Sequence, residues 1–197
     1  MIVYYICMRP KDENKQDAII KATVKLVNDI GFVASSVSKI AREADVSPAT
    51  IYIYYKNKED LLVSTYVDIK HKISDAIMRD FDANLPIRDI LMKFWFNAFD
   101  YIARHPGYFQ FTEQFSYSPY SDLVNKKEVE NYFEPMMGII RKGIEQKIIK
   151  DISFEILTVF MFYPVMLLAN PRICATFELN RENIETAFTL AWDAIKL

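Results

Sequence analysis

The sequence predicts an all-α protein of about nine helices. Two observations carry that prediction. Apolar residues recur at three- and four-residue intervals along most of the chain, the period of a helix with one buried face. Only 4 of the 197 residues are glycine and alternating β-branched runs are scarce, which argues against a β-sandwich or a Rossmann sheet. With 51% hydrophobic residues the chain can build a core, so wholesale disorder is excluded.

The elements follow in order. Ile19, Thr23, Leu26, Val27 and Ile30 mark the first helix, and Gly31 stops it as a C′ glycine. Ser36 to Ala44 is short, with Ser35 or Ser36 as N-cap. Ser47-Pro48 supplies an N-cap and an N1 proline for another short helix through Tyr54. Asn57 caps a long helix with an acidic first turn and the row Leu62, Tyr66, Ile69, Ile73, Ile77, Phe81. Pro86 starts the next helix, which His105-Pro106-Gly107 breaks; residues 107–118 form another, ended by Pro119. Glu128 to Lys147 reads as one amphipathic helix. Ser153 to Ala169 is almost wholly apolar, with a kink expected at Pro164. Asn180 caps the last helix, whose stripe is Ile184, Phe188, Ala191, Trp192 and Ile195.

Several function classes fall away. Cys7 and Cys174 are too few for a disulfide framework, so a cytoplasmic setting is expected. Met1 to Cys7 has neither the basic flank nor the cleavage site of a secretory signal. Met8, followed by Arg9 and Pro10, reads like an ordinary start, so residues 1–7 are expected to be upstream sequence that packs poorly. The longest uncharged apolar run, Ile156 to Ala169, is shorter than the about 20 residues of a membrane span, so no membrane partner is expected. His71 and Asp75 are spaced i, i+4, but two ligands do not make a metal site. No nucleophile elbow or phosphate-cradling loop is present, so neither an enzyme nor a cofactor is expected.

The informative stretch is Ser36 to Lys58. Two short helices are joined by the turn Asp45-Val46-Ser47, which is helix-turn-helix spacing. Ala41 is small where the helices cross, and Val46 and Ile51 anchor the turn. At about 100° per residue, Ile51 and Tyr55 face the core while Ala49, Thr50, Ile53 and Tyr54 occupy the opposite arc. An outward Ile and Tyr suit a helix that enters a major groove, where they can touch thymine methyls and phosphates. The competing reading is a plain helical hairpin with surface aromatics. Lys58 opens the next helix, where an ammonium and free N–H groups together can grip a phosphate.

Gly31-Phe32, then Ser36-Val37-x-x-Ile40-Ala41-x-x-Ala44-x-Val46-Ser47-x-x-Thr50-Ile51-Tyr52-x-Tyr54-Tyr55-x-x-Lys58-Glu59-x-Leu61 resembles the TetR/AcrR family of bacterial transcriptional regulators. The resemblance covers the first helix through the start of the fourth; the remainder is similar only in length and helical character. Two positions depart from the pattern, Asp45 in the turn and Ala49 in the second helix, where the family usually carries glycine. The turn demands φ > 0, so Asp45 is expected in the left-handed region at modest strain. The resemblance implies a DNA-binding head over residues 9–58 and an effector-binding, dimerising region over 59–197. It implies that Ser36 contacts phosphate, that Pro48, Ala49, Thr50 and Ile53 approach base edges, that Tyr52 sits at the groove rim, and that Tyr54 and Lys58 hold phosphates.

Eleven aromatics lie between Phe94 and Tyr120. Core packing accounts for most of them, yet rigid aromatics with flexible methionines are also how an apolar-ligand pocket is lined. Trp95, Phe99, Phe111, Phe115, Met136 and Met166 are the candidate effector residues. Asp100 or Glu113, if buried among them, would favour a cationic lipophilic ligand. The last two helices carry more apolar surface than one short bundle can cover, so they are expected to pair with their copies in a two-fold dimer. The expected function is a ligand-responsive repressor that binds a palindromic double-stranded DNA operator as a homodimer and is released by a small hydrophobic or amphipathic effector. The alternative is an architectural or protein-partner-binding protein of the same fold.

The net charge of −2 needs reading by region. From Arg9 to Lys70 there are 10 Lys+Arg against 9 Asp+Glu, and from His71 onward 14 against 17. A nearly neutral head neutralises few phosphates, so a shallow salt dependence of DNA binding is expected.

Overall fold

The computed structural model describes residues 12–197. The expectations for residues 1–7, and the start of the head at residue 9, lie outside the described residues. The described chain is all-α, as predicted. It divides into two compact units: one runs to Tyr66 and takes in Glu113–Leu123, and the other comprises Val67–Thr112 and Val124–Leu197. The first unit is therefore larger than the 9–58 span read from the sequence.

In the first unit, α1 (Glu13–Ala34), α2 (Val37–Glu43) and α3 (Pro48–Tyr54) precede the opening turns of α4 (Lys58–Ile77). Asp12 N-caps α1, Ser36 caps α2 and Ser47 caps α3, each side-chain oxygen accepting a backbone N–H of the first turn. At the start of α4 Asn57 accepts the Asp60 N–H at 2.7 Å, and Asp60 accepts the Lys56 N–H at 2.7 Å. Ile19, Ala22, Ile40, Ala41, Ile51, Tyr55 and Leu61 form one buried cluster that fixes the crossing of these helices. Ile30 does not join it; it is 44% exposed. Gly31 has φ 80 and ψ 168, a conformation essentially reserved for glycine, and it divides α1 from a last turn ending at Ala34.

Asp45 has φ 54, in the left-handed region as predicted. Asp45→Gly is therefore expected to raise stability by up to about 1 kcal/mol, relief of the Cβ exceeding the added freedom of the unfolded chain. Urea unfolding reads the change; a lower midpoint would show that the Asp45 side chain contributes more than its strain costs.

The second unit holds the rest of α4, then α5 (Ile87–Arg104), most of α6 (Pro106–Ser116), α7 (Lys126–Tyr132), α8 (Glu134–Glu145), α9 (Phe154–Met161), α10 (Tyr163–Leu168) and α11 (Arg181–Ile195). Two helices expected as continuous are divided. Residues 128–147 break at Phe133, because Pro135 is at home only in a first turn. The apolar helix breaks at Phe162, two residues ahead of Pro164, where a kink was expected. Phe81 lies beyond the end of α4 rather than on its row. Trp95, at 0% exposure, centres the core: its ring lies 5.8 Å from Phe99 and 5.5 Å from Phe188, and its indole N–H donates to the Met161 carbonyl at 2.7 Å. Among the described residues no helix is long and apolar enough to cross a membrane.

Candidate nucleic-acid interface

The α2–turn–α3 segment is built from local rules. The N–H of Val46 donates to the Ala41 carbonyl at 2.9 Å, closing the turn over the left-handed Asp45. Ser47 Oγ accepts the Thr50 N–H at 3.1 Å and lies 2.9 Å from Thr50 Oγ1, so the first turn of α3 is doubly pinned. On α3 the burial is one-sided. Ile51 and Tyr55 are buried, while Pro48 and Ala49 are exposed. Tyr52 is 56% and Ile53 66% exposed. Thr50 and Tyr54, placed by the helical wheel on the outward arc, are half-buried at its edges. Ser36 is exposed at the start of α2.

Tyr54 and Lys58 are engaged within the unit. The Asp12 N–H donates to the Tyr54 hydroxyl at 3.0 Å, and that hydroxyl lies 3.2 Å from the Asp12 carbonyl, to which it donates. The Lys58 ammonium donates to the carbonyls of Phe32 at 2.6 Å and Val33 at 3.5 Å. The last turn of α1 carries no basic residue of its own, and Lys58 supplies the cation its carbonyls attract. The two side chains thus strap the two ends of α1 to α3 and α4. Asp12, which holds the Tyr54 hydroxyl, is the partner that the sequence reading missed. Its signal was the Asp12-Glu13 start of α1, but the partner 42 residues away leaves no local trace.

The candidate effector residues are not all brought together. Trp95, Phe99 and Met136 share the buried core of the second unit, and Met166 packs against it. Phe111 is buried in the same unit without belonging to that cluster. Phe115 belongs to the first unit, its ring stacked on Tyr66 at 4.4 Å and edge-on to Phe32 at 6.1 Å. The condition for a cationic ligand, a carboxylate buried among the aromatics, is not met. Glu113 is exposed, and Asp100 is a half-exposed surface group that pairs with Arg79 at 3.1 Å and with Arg104. His71 also has an ordinary role: its Nδ1 lies 3.4 Å from Asp75 and its ring meets Tyr132 edge-on.

The apolar surface of the final helices is unequal. The stripe of α11 is buried by its own chain, with Ile184, Phe188, Ala191, Trp192 and Ile195 all inside, so the surplus expected of the last two helices does not lie on it. On α9 and α10, Leu157, Met161 and Val165 face inward, whereas Ile156, Val159, Phe160, Tyr163 and Leu167 form an exposed row at helical spacing.

Residues 19–65 match the profile described as bacterial regulatory proteins, tetR family, and residues 86–196 match a tetracyclin repressor-like C-terminal domain. The crystal structure of a TetR family transcription regulator from Marinobacter aquaeolei VT8 superposes with a TM-score of 0.88 at 34% identity, covering 96% of this chain and 99% of that one. An uncharacterized HTH-type transcriptional regulator of Haemophilus influenzae is 25% identical over 96% of this chain and its own full length. The fatty acid metabolism regulator protein of Bacillus subtilis is 46% identical, over 31% of this chain and 30% of its own.

Proposed function

This chain belongs to the TetR family of bacterial regulatory proteins and is a DNA-binding transcriptional regulator rather than an enzyme, and from that premise we propose that it is a cytoplasmic, ligand-released repressor. Two copies bind a palindromic operator, and a small apolar or amphipathic effector releases them. The observation that carries the reading is the one-sidedness of α3, which exposes Ala49, Tyr52 and Ile53 while burying Ile51 and Tyr55. An exposed isoleucine one helical turn beyond Ala49 and Thr50 offers contact to thymine methyls at the floor of a major groove.

In this reading Pro48, Ala49, Thr50 and Ile53 approach base edges, Tyr52 lines the groove rim, and Ser36, Tyr54 and Lys58 hold phosphates. Residues 59–197 form the effector-binding and dimerising part. Tyr54 can turn its single O–H donor from Asp12 to a phosphate and still accept the Asp12 N–H. An ammonium has three donors, so Lys58 can keep the α1 carbonyls and add a phosphate oxygen. The α9–α10 row, with the outer side of α11, is the dimer surface. Trp95, Phe99, Phe111, Met136 and Met166, all in the second unit, frame the effector; Phe115 lies in the first unit and is not among them. Release requires that the ligand bind the DNA-incompetent arrangement more tightly, by about 1.4 kcal/mol for each tenfold loss of operator affinity.

Selection of bound genomic DNA fragments tests the function. The expected result is an enriched inverted repeat with half-site centres about 34 Å apart or a multiple of it. Enrichment of no sequence over bulk DNA would overturn the proposal. Lys58→Ala should weaken binding to all sequences alike and lower the salt slope by about 1. It should also cost up to about 1 kcal/mol of stability by uncapping α1. A lowered melting temperature with an unchanged salt slope would restrict Lys58 to the cap.

A further inference from the structure

Three polar side chains of the first unit meet where α1 ends. The Lys58 ammonium donates to the carbonyls of Phe32 and Val33, and the Lys39 ammonium donates to the next carbonyl, that of Ala34, at 3.1 Å. The Ser36 N–H also donates to the Ala34 carbonyl at 3.1 Å, and Ser36 Oγ accepts the Lys39 N–H at 3.3 Å. A hydroxyl that accepts a capping bond keeps its own O–H to donate. Ser36 and Lys39 are exposed and Lys58 is half-buried, so their remaining donors stand together at the surface.

Charge pairing sets these lysines apart from those along α1. Lys15, Lys21 and Lys25 are ion-paired, with Asp12 at 3.7 Å, Asp17 at 2.7 Å and Glu43 at 2.5 Å. Among the described residues no carboxylate is ion-paired with Lys39 or Lys58, although Glu59 follows Lys58 in the first turn of α4. A carbonyl orients an ammonium without neutralising it, whereas a carboxylate partner would have to give way before a phosphate could enter. The near-neutral head therefore averages over two populations of lysine, compensated along α1 and uncompensated at its end.

We propose that Lys39 is a further phosphate-holding residue, and that with Ser36 and Lys58 it forms one seat for the phosphodiester backbone of double-stranded DNA. The inference rests on the DNA-binding reading above, which gives phosphates to Ser36 and Lys58 separately. An ammonium has three donors, and Lys39 uses one of them on a carbonyl, so two are left for phosphate oxygens. Stems already held by carbonyls lose less freedom when the backbone docks.

The test follows the full-length protein binding a random-sequence duplex through a salt titration, which needs no operator. Lys39→Ala should weaken binding and lower the slope of log affinity against log salt by about 1. Lys39→Gln keeps an N–H donor for the Ala34 carbonyl but not the charge, and should lose the same slope; Lys39→Arg should keep it. Lys21→Ala removes an ion-paired lysine of α1 and should leave the slope as it is. The loss on Lys39→Ala should change by about threefold or more when Lys58 is already alanine, because groups that share a partner are coupled. An unchanged slope in both Lys39→Ala and Lys39→Gln would overturn the assignment and leave Lys39 as a cap on the Ala34 carbonyl. An equal fall for Lys21→Ala would overturn it in favour of bulk charge, and identical losses with and without Lys58 would dissolve the shared seat. A protein that binds no duplex even at low salt would overturn the function proposed above as well.

Discussion

Placing glutamate at both Val159 and Phe160 is expected to leave a folded monomer that has lost at least a hundredfold in operator affinity. Each side chain is 53% exposed at the middle of the α9–α10 row, so neither substitution touches the chain's own core. Across a two-fold interface the same patch meets itself, so a double variant brings four carboxylates together. Removing charges from water without partners costs several kcal/mol each, and 1.4 kcal/mol is already tenfold in an equilibrium constant. Light scattering at micromolar protein, with an operator titration alongside, reads both consequences. A variant that remains dimeric places the interface on another surface.

Trp95→Ala is expected to destabilise the second unit by about 3–5 kcal/mol, among the largest effects of any single change. The indole is fully buried between Phe99 and Phe188, and its N–H reaches the carbonyl of Met161, the last residue of α9. Trp95→Phe separates the two contributions. It keeps most of the ring but leaves that carbonyl without the indole donor, at a cost of about 1–3 kcal/mol. Urea unfolding followed by circular dichroism gives both values. Losses below 1 kcal/mol for the alanine variant would mean that the Trp95 site collapses freely or is not packed as described.

What was legible in the sequence was what depends on near neighbours. Ser36, Ser47, Asn57 and Asn180 cap the helices assigned to them, because a cap is an interaction across three residues. Asp45 carries its positive φ at the turn position where the resembled pattern has glycine. The break at Phe133 was also written locally, in Pro135, and the amphipathic period of the surrounding residues concealed it. Interactions over long separations were not legible. The wheel turns Tyr54 outward, but its hydroxyl meets Asp12 from 42 residues away, and Lys58 finds carbonyls 25 and 26 residues earlier. Phe111 and Phe115 are one turn apart in α6 and look like one feature, yet they fall in different units. The surface position of Asp100 was half visible: Arg104 stands one turn away on the same helix, whereas Arg79 comes from beyond the end of α4.

The strapping of α1 by Tyr54 and Lys58 bears on how the first unit opens in time. Helices ordinarily exchange their amide hydrogens by fraying from the ends inward, with little protection in the terminal turns. A helix tied at Asp12 by a tyrosine hydroxyl and at Phe32 and Val33 by an ammonium has no loose end from which to unzip. Its inner amides should therefore exchange together, in one opening shared with α2 and α3. The turn after Gly31 is then the local clock of the unit. Because the Lys58 ammonium can take a phosphate while it keeps those carbonyls, exchange there should stay slow on DNA, whereas Lys58→Ala should quicken it and leave the middle of α1 at its rate.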